Sequence, residues 1–518
     1  MTTYESYAEY YHDLTKYTPE GIALNQHKLD FDKQPIPFKE YSVKKTIDLS
    51  CLLPLDKNPF SDKGIKNPND FSEEEKSLSA LSKLLYFSNG VTAIVPSPDK
   101  PFYMRSSPSA GGLYPTEIYI CASGYKGLED GIYNYQVLSQ GLISLYIGNM
   151  KEKLLSSVFD NPAVKYSNLI LILSGVFYRS SWRYQDRAYR RICLDTGHVI
   201  GNIDVVSHSC GFKSLSVGGF NDKLLNELFL FDENEEQSLA VVSLIDEKIF
   251  EENKQQILEG FIPALPSKLD NRNIKTSEGN RLIQLHERSR IENIAKVPNV
   301  FIDNVEEKFK FSSKVNLDEK SKSFNWKNTL YQTILKRRST RAFSGESISV
   351  EDLAAILEFA YCPERFSNDG IDPSPVYFDL SLLQTFIAVN NVDGLEEGCY
   401  FYSKEGSYLR QVRFKNFRDE IYYLCLGQEL GHKASAVIFQ TSSLIKGVFK
   451  YGERAYRYLH MDAGHLGQRI NLAAVNLNIG VSGIGGFFDD QVNEVLGIPE
   501  NEAVLYITTL GVPVKAKT

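Results

Sequence analysis

The sequence contains two copies of one segment, separated by a constant offset. Residues 127–131 (GLEDG) recur as residues 394–398 (GLEEG), and residues 187–190 recur as residues 454–457, both reading RAYR. Each pair is 267 residues apart. A match of this period without gaps is far too long for a solenoid repeat. We therefore expect one globular domain that is present twice.

Composition excludes several classes of protein. The 518 residues are 42% hydrophobic and 24% charged, which is typical of a soluble globular chain. A net charge of −8 argues against non-specific nucleic-acid binding. The seven cysteines form no Cys-x-x-Cys pair, which favours a reducing compartment and predicts neither a disulfide framework nor a metal site. Without a signal peptide or an apolar run of membrane length, we expect a cytoplasmic protein with no membrane partner.

Hydrophobic periodicity gives a coarse domain map. We predict an extension over residues 1–75, a first domain over 76–250, a linker over 251–325 and a second domain over 326–518. Apolar residues from Leu459 to Leu477 recur at helical spacing and predict a long helix that faces a core. Short apolar runs such as 169–173 and 436–440 have the length of strands. Helices mixed with such strands predict an α+β fold with a covered central sheet.

The strongest chemical signal is a basic cluster over residues 336–343. It places three arginines and two hydroxyls within five residues, a combination that suits a phosphate group. The alternative is a solvated basic end of a helix, where cations favour the helix dipole.

Two glycine-containing segments are candidates for close approach to a ligand. Residues 105–115 (RSSPSAGGLYP) combine small residues with paired glycines, which lets backbone N–H groups reach a planar or anionic ligand. A plain turn has the same composition. Residues 483–487 (GIGGF) follow the long helix instead of opening one, so they are not a dinucleotide fingerprint.

The pair Lys450-Tyr451 is a candidate for acid and base chemistry, since neighbouring cations would lower both pKa values. The alternative is a charged surface turn. The first copy has Arg183-Tyr184 at the corresponding place, and an arginine cannot lose its proton, so we expect the second copy to be the active one. His198 and His465 occupy equivalent helical positions, for which we predict a buried, hydrogen-bonded role.

Together these residues resemble the nitroreductase-like flavoenzymes, and specifically the SagB/ThcOx-type dehydrogenases that oxidise azolines to azoles in modified peptides. The resemblance implies two tandem domains, each with a central, mostly antiparallel sheet flanked by helices. It also implies a set of FMN-binding and catalytic residues. These are Arg337, Arg338, Ser339 and Arg341 for the phosphate, Arg105, Pro108, Ser109, Ala110 and Gly111 for the flavin ring, Gly483, Ile484, Gly485 and Gly486 beside the flavin N5 edge, and Lys450 and Tyr451 for catalysis.

The two copies depart from the family pattern in complementary ways. The basic motif is found in the second copy, and the matching stretch of the first, residues 70–75, is acidic. The Pro-Ser-Ala-Gly-Gly loop is found in the first copy, and the matching residues 373–378 lack its glycines. Family members are usually homodimers whose FMN sites use both subunits. We therefore expect an intramolecular pseudo-dimer, able to act as a monomer, with one FMN per chain.

The resulting functional expectation is an FMN-dependent dehydrogenase or oxidase of the azoline-to-azole type, acting on a modified peptide or a small peptide-like heterocycle. One alternative is an NAD(P)H-dependent reductase of nitro compounds or quinones. The other is a non-catalytic scaffold or peptide-binding protein that keeps a degenerate flavin fold.

Overall fold

The computed structural model describes residues 4–25, 27–42, 46–55, 58–60, 64–98, 101–269, 280–298, 305–318 and 320–514. The strands are β1 Thr46–Asp48, β2 Val91–Val95, β3 Phe102–Arg105, β4 Thr116–Ala122, β5 Gly131–Gln136, β6 Gly141–Ile147, β7 Leu169–Val176, β8 Phe212–Val217, β9 Glu236–Asp246, β10 Lys314–Asn316, β11 Ile348–Ser349, β12 Leu383–Val389, β13 Val392–Asp393, β14 Gly398–Ser403, β15 Tyr408–Arg413, β16 Ala436–Ser442, β17 Gly480–Ile484 and β18 Ala503–Gly511. The α-helices are α1 Tyr7–Leu14, α2 Pro19–Leu24, α3 Glu73–Asn89, α4 Lys151–Ser157, α5 Pro162–Lys165, α6 Phe177–Tyr184, α7 Ala188–Ser207, α8 Asp222–Phe229, α9 Glu247–Gly260, α10 Arg281–Arg288, α11 Trp326–Lys336, α12 Val350–Tyr361, α13 Arg418–Leu424, α14 Glu429–His432, α15 Leu444–Tyr451, α16 Ala455–Asn476 and α17 Asp489–Leu496. Within these ranges, none of the helices combines the length and the apolar content that a membrane span needs.

The two halves have the same sheet. Among the described residues, each half forms a seven-stranded sheet, in the order β1-β6-β5-β4-β7-β9-β8 in the first and β10-β15-β14-β12-β16-β18-β17 in the second. Every pair of neighbours in these two sheets is antiparallel. The central strands β7 and β16 are apolar on both sides because helices cover both faces of each sheet. The predicted α+β fold is confirmed.

Short strands outside the predicted domains complete both sheets. β1 pairs with β6, and β10 pairs with β15, at the same edge of each sheet. β1 lies in the stretch expected to be an extension, and β10 in the stretch expected to be a linker. Three-residue strands carry too few residues for an alternating pattern to stand out from a loop.

The halves pack against each other through the helices α7 and α16, which are buried along almost their whole length. The helices cross at Gly197 and Gly464, two residues that the repeat makes equivalent. A Cβ added to Gly197 would lie 2.1 Å from the carbonyl oxygen of Met461, and one added to Gly464 would lie 2.2 Å from that of Leu194. Only glycine allows this approach, so the two halves form a pseudo-dimer around this crossing.

Helix α1 caps the pseudo-twofold axis. The equivalent residues Tyr189 and Tyr456 stack there with ring centroids 6.4 Å apart, and the ring of Tyr11 meets both edge-on. The carboxylate of Glu453 accepts hydrogen bonds from the backbone N–H groups of Tyr7 and Ala8, at 2.9 and 2.7 Å, and so holds the first turn of α1. Helix α1 therefore lies over the two equivalent tyrosines.

Candidate functional site

Arg337 joins the basic motif of the second copy to the glycine-containing loop of the first. It follows the last residue of α11, and only 2% of its surface is exposed. Its Nε donates to the carbonyl oxygen of Ser106 at 2.7 Å, and its Nη2 donates to that of Arg105 at 3.0 Å. The basic motif of the second copy and the loop of the first copy thus lie side by side.

Thr340 fixes the basic motif to strand β17. The backbone N–H of Thr340 donates to the carbonyl oxygen of Val481 at 2.8 Å, and the N–H of Val481 donates to Thr340 Oγ1 at 3.0 Å. Arg338 turns back and donates to the carbonyl oxygens of Leu335 and Thr92 at 3.1 and 3.2 Å. The motif therefore lies beside the segment that begins at Gly483.

Two of the motif's polar side chains are available to a ligand. Ser339 is half-buried and Arg341 is exposed. Within the described residues, no hydrogen bond or ion pair is formed by either side chain, and the buried Nη1 of Arg337 has no partner. A hydroxyl and two arginines with unused donors remain at this place.

The loop of the first copy splits into a buried end and an exposed end. Arg105 is fully buried, and its guanidinium lies over the rings of Phe38 and Tyr114, at 5.3 and 4.6 Å. Burial lowers the pKa of Arg105 to about 10. The structure therefore directs this side chain into the first half, away from the basic motif, and only its carbonyl oxygen meets Arg337.

The exposed end of the loop is held by helix α7. Ser109 Oγ donates to Asp195 at 2.5 Å, and the N–H of Ala110 donates to the same carboxylate at 3.2 Å. Pro108 is half-buried beside them. Gly111 is exposed and has a φ of +66°, a conformation that favours glycine.

Arg183 and Tyr184 border this end of the loop. A Cβ added to Gly111 would lie 2.9 Å from the hydroxyl of Tyr184 and 3.3 Å from Cδ of Arg183. The guanidinium of Arg191 lies 4.8 Å from the centre of the Tyr184 ring. Burial raises the pKa of Tyr184, although Arg191 and Arg183 act in the opposite direction.

The segment after β17 closes the site on its remaining side. A Cβ added to Gly485 would lie 1.3 Å from Nη1 of Arg191, and one added to Gly483 would lie 2.0 Å from the hydroxyl of Tyr506. Gly483 is exposed, Gly485 and Gly486 are half-buried, and Ile484 is buried in the core of the second half. Each segment therefore contacts the next: the basic motif contacts the loop, the loop contacts α6 and α7, α7 contacts residues 483–486, and β17 contacts the motif. We call the residues 105–111, 183–195, 337–341 and 481–486 the composite site.

The symmetry-related place is filled by the protein itself. Gly218 and Gly219 are equivalent to Gly485 and Gly486, but both are buried. A Cβ added to Gly218 would lie 2.4 Å from the ring of Tyr458, and one added to Gly219 would lie 2.5 Å from Cγ of Leu265. Phe378 stacks on Tyr458 with ring centroids 5.0 Å apart. We call this place the covered site, because residues 263–267 of the predicted linker lie over it.

Lys450 and Tyr451 lie at the covered site. Lys450 Nζ donates to Asp379 at 2.6 Å, and the hydroxyl of Tyr451 donates to the same carboxylate at 3.1 Å. The carbonyl oxygen of Tyr451 accepts from the N–H of Ser267 at 3.1 Å. The structure therefore does not bring the predicted catalytic pair together with the basic motif and the loop. Burial and Asp379 raise the pKa of Tyr451.

The reason lies in how each half contributes to the two places. At each of the two places, the loop and the C-terminal end of α6, or of its counterpart α15, come from the same copy. The intact loop of the first copy therefore lies beside Arg183 and Tyr184, at the end of α6. This grouping could have been predicted from the sequence. The 267-residue offset relates Lys450-Tyr451 to Arg183-Tyr184, and the intact loop is in the first copy.

The acidic stretch of the first copy begins a helix. Ser72 is the N-cap of α3 and forms a capping box with Glu75, which also pairs with Lys66 at 2.6 Å. Three glutamates occupy the first turn of α3, where they favour the positive end of the helix dipole. In the structure, the acidic residues of the first copy therefore form the start of α3.

The two equivalent histidines have the predicted buried, hydrogen-bonded role. His198 contacts Gln468 Oε1 at 2.9 Å and the hydroxyl of Tyr506 at 3.0 Å, and burial lowers its pKa to about 3. His465 contacts Asp204 at 3.2 Å. No group of three metal-ligating side chains occurs in the described part of the chain.

Comparison with known proteins gives consistent matches for both halves. A model of the nitroreductase family matches residues 71–244 and again residues 334–512. The crystal structure of a nitroreductase-family protein from Anabaena variabilis is 45% identical, with a TM-score of 0.88, over 98% of this chain and 100% of that one. The nitroreductase-family protein MJ1384 of Methanocaldococcus jannaschii is 29% identical over 34% of this chain and 88% of its own length. The microcin B17-processing protein McbC of Escherichia coli is 27% identical over 35% of this chain and 67% of its own length.

Proposed function

The chain belongs to the nitroreductase family in both of its halves, and from this premise we propose that it is an FMN-dependent oxidoreductase that holds one flavin per chain, at the composite site. The observation that carries the proposal is the bridge from Arg337 to the carbonyl oxygens of Arg105 and Ser106. It supports a single site to which the second copy contributes the phosphate-binding motif and the first copy contributes the loop.

The composite site fits the chemistry of FMN. The hydroxyl of Ser339, the guanidinium of Arg341 and the unpartnered Nη1 of Arg337 are donors that suit a phosphate group. Exposed backbone at Gly111 and Gly483 leaves room for a planar ring system beside them. The covered site lacks this open backbone, because its glycines lie under Tyr458 and Leu265, and the sequence of the first copy that aligns with the basic motif is acidic.

When bound, FMN supplies the exchange of a hydride with the substrate. We propose that this chain reduces its substrate, with NAD(P)H as the source of electrons. Tyr184, whose pKa burial raises, would donate a proton to the substrate from its hydroxyl beside Gly111. Arg183 next to it cannot act as a base. The site therefore offers an acid and cations, and its carboxyl group, that of Asp195, is occupied by Ser109 and Ala110, a set that suits reduction of a nitro group or a quinone.

Azoline dehydrogenation is a second candidate, supported by the similarity to McbC, which processes microcin B17. The sequence favoured this reaction because of Lys450-Tyr451. That argument does not carry over to the composite site, because Lys450 is paired with Asp379 beside the covered site. Dehydrogenation would need a base that Arg183 does not provide.

The test begins with the flavin content of the purified full-length chain. We expect yellow protein with about one FMN per chain, and two per chain would contradict the single composite site. Colourless protein that stays colourless after addition of FMN would favour the scaffold alternative. Turnover is then compared for NADPH with a nitroaromatic or quinone, and for an azoline-containing peptide with oxygen. Faster turnover of the peptide would overturn the proposed direction and leave the single flavin site standing.

A further inference from the structure

Arg191 is a buried cation that forms no ion pair with the described residues, although its charge acts on the nearby carboxyl of Asp195. It lies on α7, and 6% of its surface is exposed. The structure gives two other arginines of the same segment, Arg187 and Arg190, ion pairs with Asp489 at 2.8 and 2.7 Å. For Arg191, no ion pair or hydrogen bond to any described residue is formed, and its buried Nε has no partner. Such an arginine costs folding free energy unless something else pairs with it.

The guanidinium of Arg191 points into the composite site. Its Nη1 is so close to Gly485 that a Cβ there would lie 1.3 Å away, and its plane is supported by the ring of Tyr184 at 4.8 Å. Asp195, one helical turn further along α7, already accepts from Ser109 and Ala110 of the loop. The repeat places Tyr458 at the equivalent position of the covered site, where it contacts Gly218 as part of the filling. At this position the composite site therefore has a cation where the covered site has a neutral tyrosine, and the arginine that contacts Gly218 there, Arg454, is paired with Asp222.

We propose that Arg191, whose guanidinium lies between Tyr184 and Gly485, is a specificity-determining residue that binds a carboxylate of the substrate. The planar guanidinium can donate two parallel hydrogen bonds to a carboxylate, and stacking on Tyr184 holds it ready to do so. The inference rests on the proposed function for the position of the flavin beside residues 483–486, and it does not depend on the direction of the reaction. An anionic or carbonyl group of the flavin itself is the other source of the same chemistry.

The test compares benzoate with benzamide, two probes of the same shape of which only the first is charged. Each is titrated calorimetrically into the FMN-loaded full-length protein. We expect benzoate to bind at least about 10-fold more tightly, as a charge-assisted hydrogen bond implies. Arg191→Tyr, which installs the side chain that the covered site already accommodates, should abolish the preference. Arg191→Lys, which keeps the charge but loses the paired donors, should keep only part of it, and Arg191→Gln should behave like Arg191→Tyr.

Equal binding of the two probes to the wild-type protein would overturn the proposal, as would an unchanged benzoate preference in both neutral variants. A different pair of results would assign Arg191 to the flavin: the wild-type protein shows no benzoate preference, and the variants bind FMN about 10-fold or more weakly. Thermal unfolding of each variant controls for loss of folding. Wild-type protein that binds no FMN would refute the proposed function without testing the role of Arg191. In that case, titration of benzoate and benzamide into the flavin-free protein would decide that role.

Discussion

Gly197 and Gly464, two residues 267 positions apart in the sequence, meet backbone to backbone where α7 crosses α16. A Cβ added to Gly197 would lie 2.9 Å from the Cα of Gly464, and the reciprocal distance is 3.1 Å. Equivalent residues that touch each other must lie on the pseudo-twofold axis. This crossing therefore sets the position of each half against the other, and with it the meeting of Arg337 with the loop of the first copy.

Gly197→Ala should destabilise the protein, because the added methyl group would press against the carbonyl oxygen of Met461. Such overpacking typically costs about 1–3 kcal/mol of the free energy of unfolding. Gly64→Ala is the matched control, since nothing lies within 4 Å of a Cβ at that position. Urea unfolding of both variants measures the difference. Equal midpoints for the two variants would show that the crossing tolerates a side chain.

Ser339→Ala and Arg341→Gln should each weaken FMN binding by about 10-fold or more, because each removes a donor that we assign to the phosphate. Fluorescence titration of flavin-free protein with FMN measures the affinity. Lys336→Gln removes a positive charge from an exposed neighbour of the motif and serves as the control. An effect of Lys336→Gln as large as that of Arg341→Gln would point to general electrostatic attraction instead of a specific contact.

Tyr184→Phe and Tyr451→Phe form a matched pair, since the repeat makes the two tyrosines equivalent and each change removes one hydroxyl. We expect Tyr184→Phe to lower the turnover number by about 100-fold, the usual contribution of a positioned proton donor. Tyr451→Phe should leave turnover close to that of the wild type, because Tyr451 lies at the covered site. Steady-state rates with NADPH and a nitroaromatic decide the question. A loss confined to Tyr451→Phe would move the chemistry back to the second copy.

Asp195 should make stability depend on pH. Burial raises its pKa to about 7, above the ordinary value for an unfolded chain, so the folded protein binds the extra proton between about pH 4 and pH 7. The contribution of Asp195 to the free energy of unfolding should therefore fall as pH rises through this window, by up to about 4 kcal/mol. Asp195→Asn cannot titrate, so its free energy of unfolding should lack this falling contribution, and the difference between the two proteins isolates Asp195. Asp462 and Glu502, whose pKa values are also raised to about 7, act in the same sense as Asp195, while His198 and His460, whose pKa values burial lowers to about 3, act in the opposite sense.

Urea unfolding at pH 5 and pH 7 compares the wild type with Asp195→Asn. An identical slope in both proteins would mean that Asp195 stays ionised through its bonds to Ser109 and Ala110.

The long, periodic elements could be predicted from the sequence. The apolar residues from Leu459 to Leu477 correspond to α16, which spans Ala455–Asn476, and the apolar run at 169–173 is strand β7. Their signals are local and repeat many times. The edge strands β1 and β10 were missed because pairing with β6 and β15 decides their conformation, and that information lies elsewhere in the chain.

At the site, the sequence predicted which types of residue are present better than it predicted which of them lie together in the folded chain. The bridge from Arg337 to the loop follows from the complementary losses in the two copies. The direction of Arg105 could not be read, because its aromatic neighbours Phe38 and Tyr114 come together only in the folded chain. The filling of the covered site by Leu265 was equally invisible, since a loop residue shows no periodicity that would mark it as buried.

Joining the halves in one chain also changes how the composite site responds to dilution. In a homodimer, a site shared between subunits is lost as the subunits separate, so cofactor occupancy falls with protein concentration. Here the partner of the loop is covalently tethered, and its effective concentration does not depend on how much protein is present. Cofactor retention should therefore be independent of protein concentration down to the dissociation constant of the flavin itself.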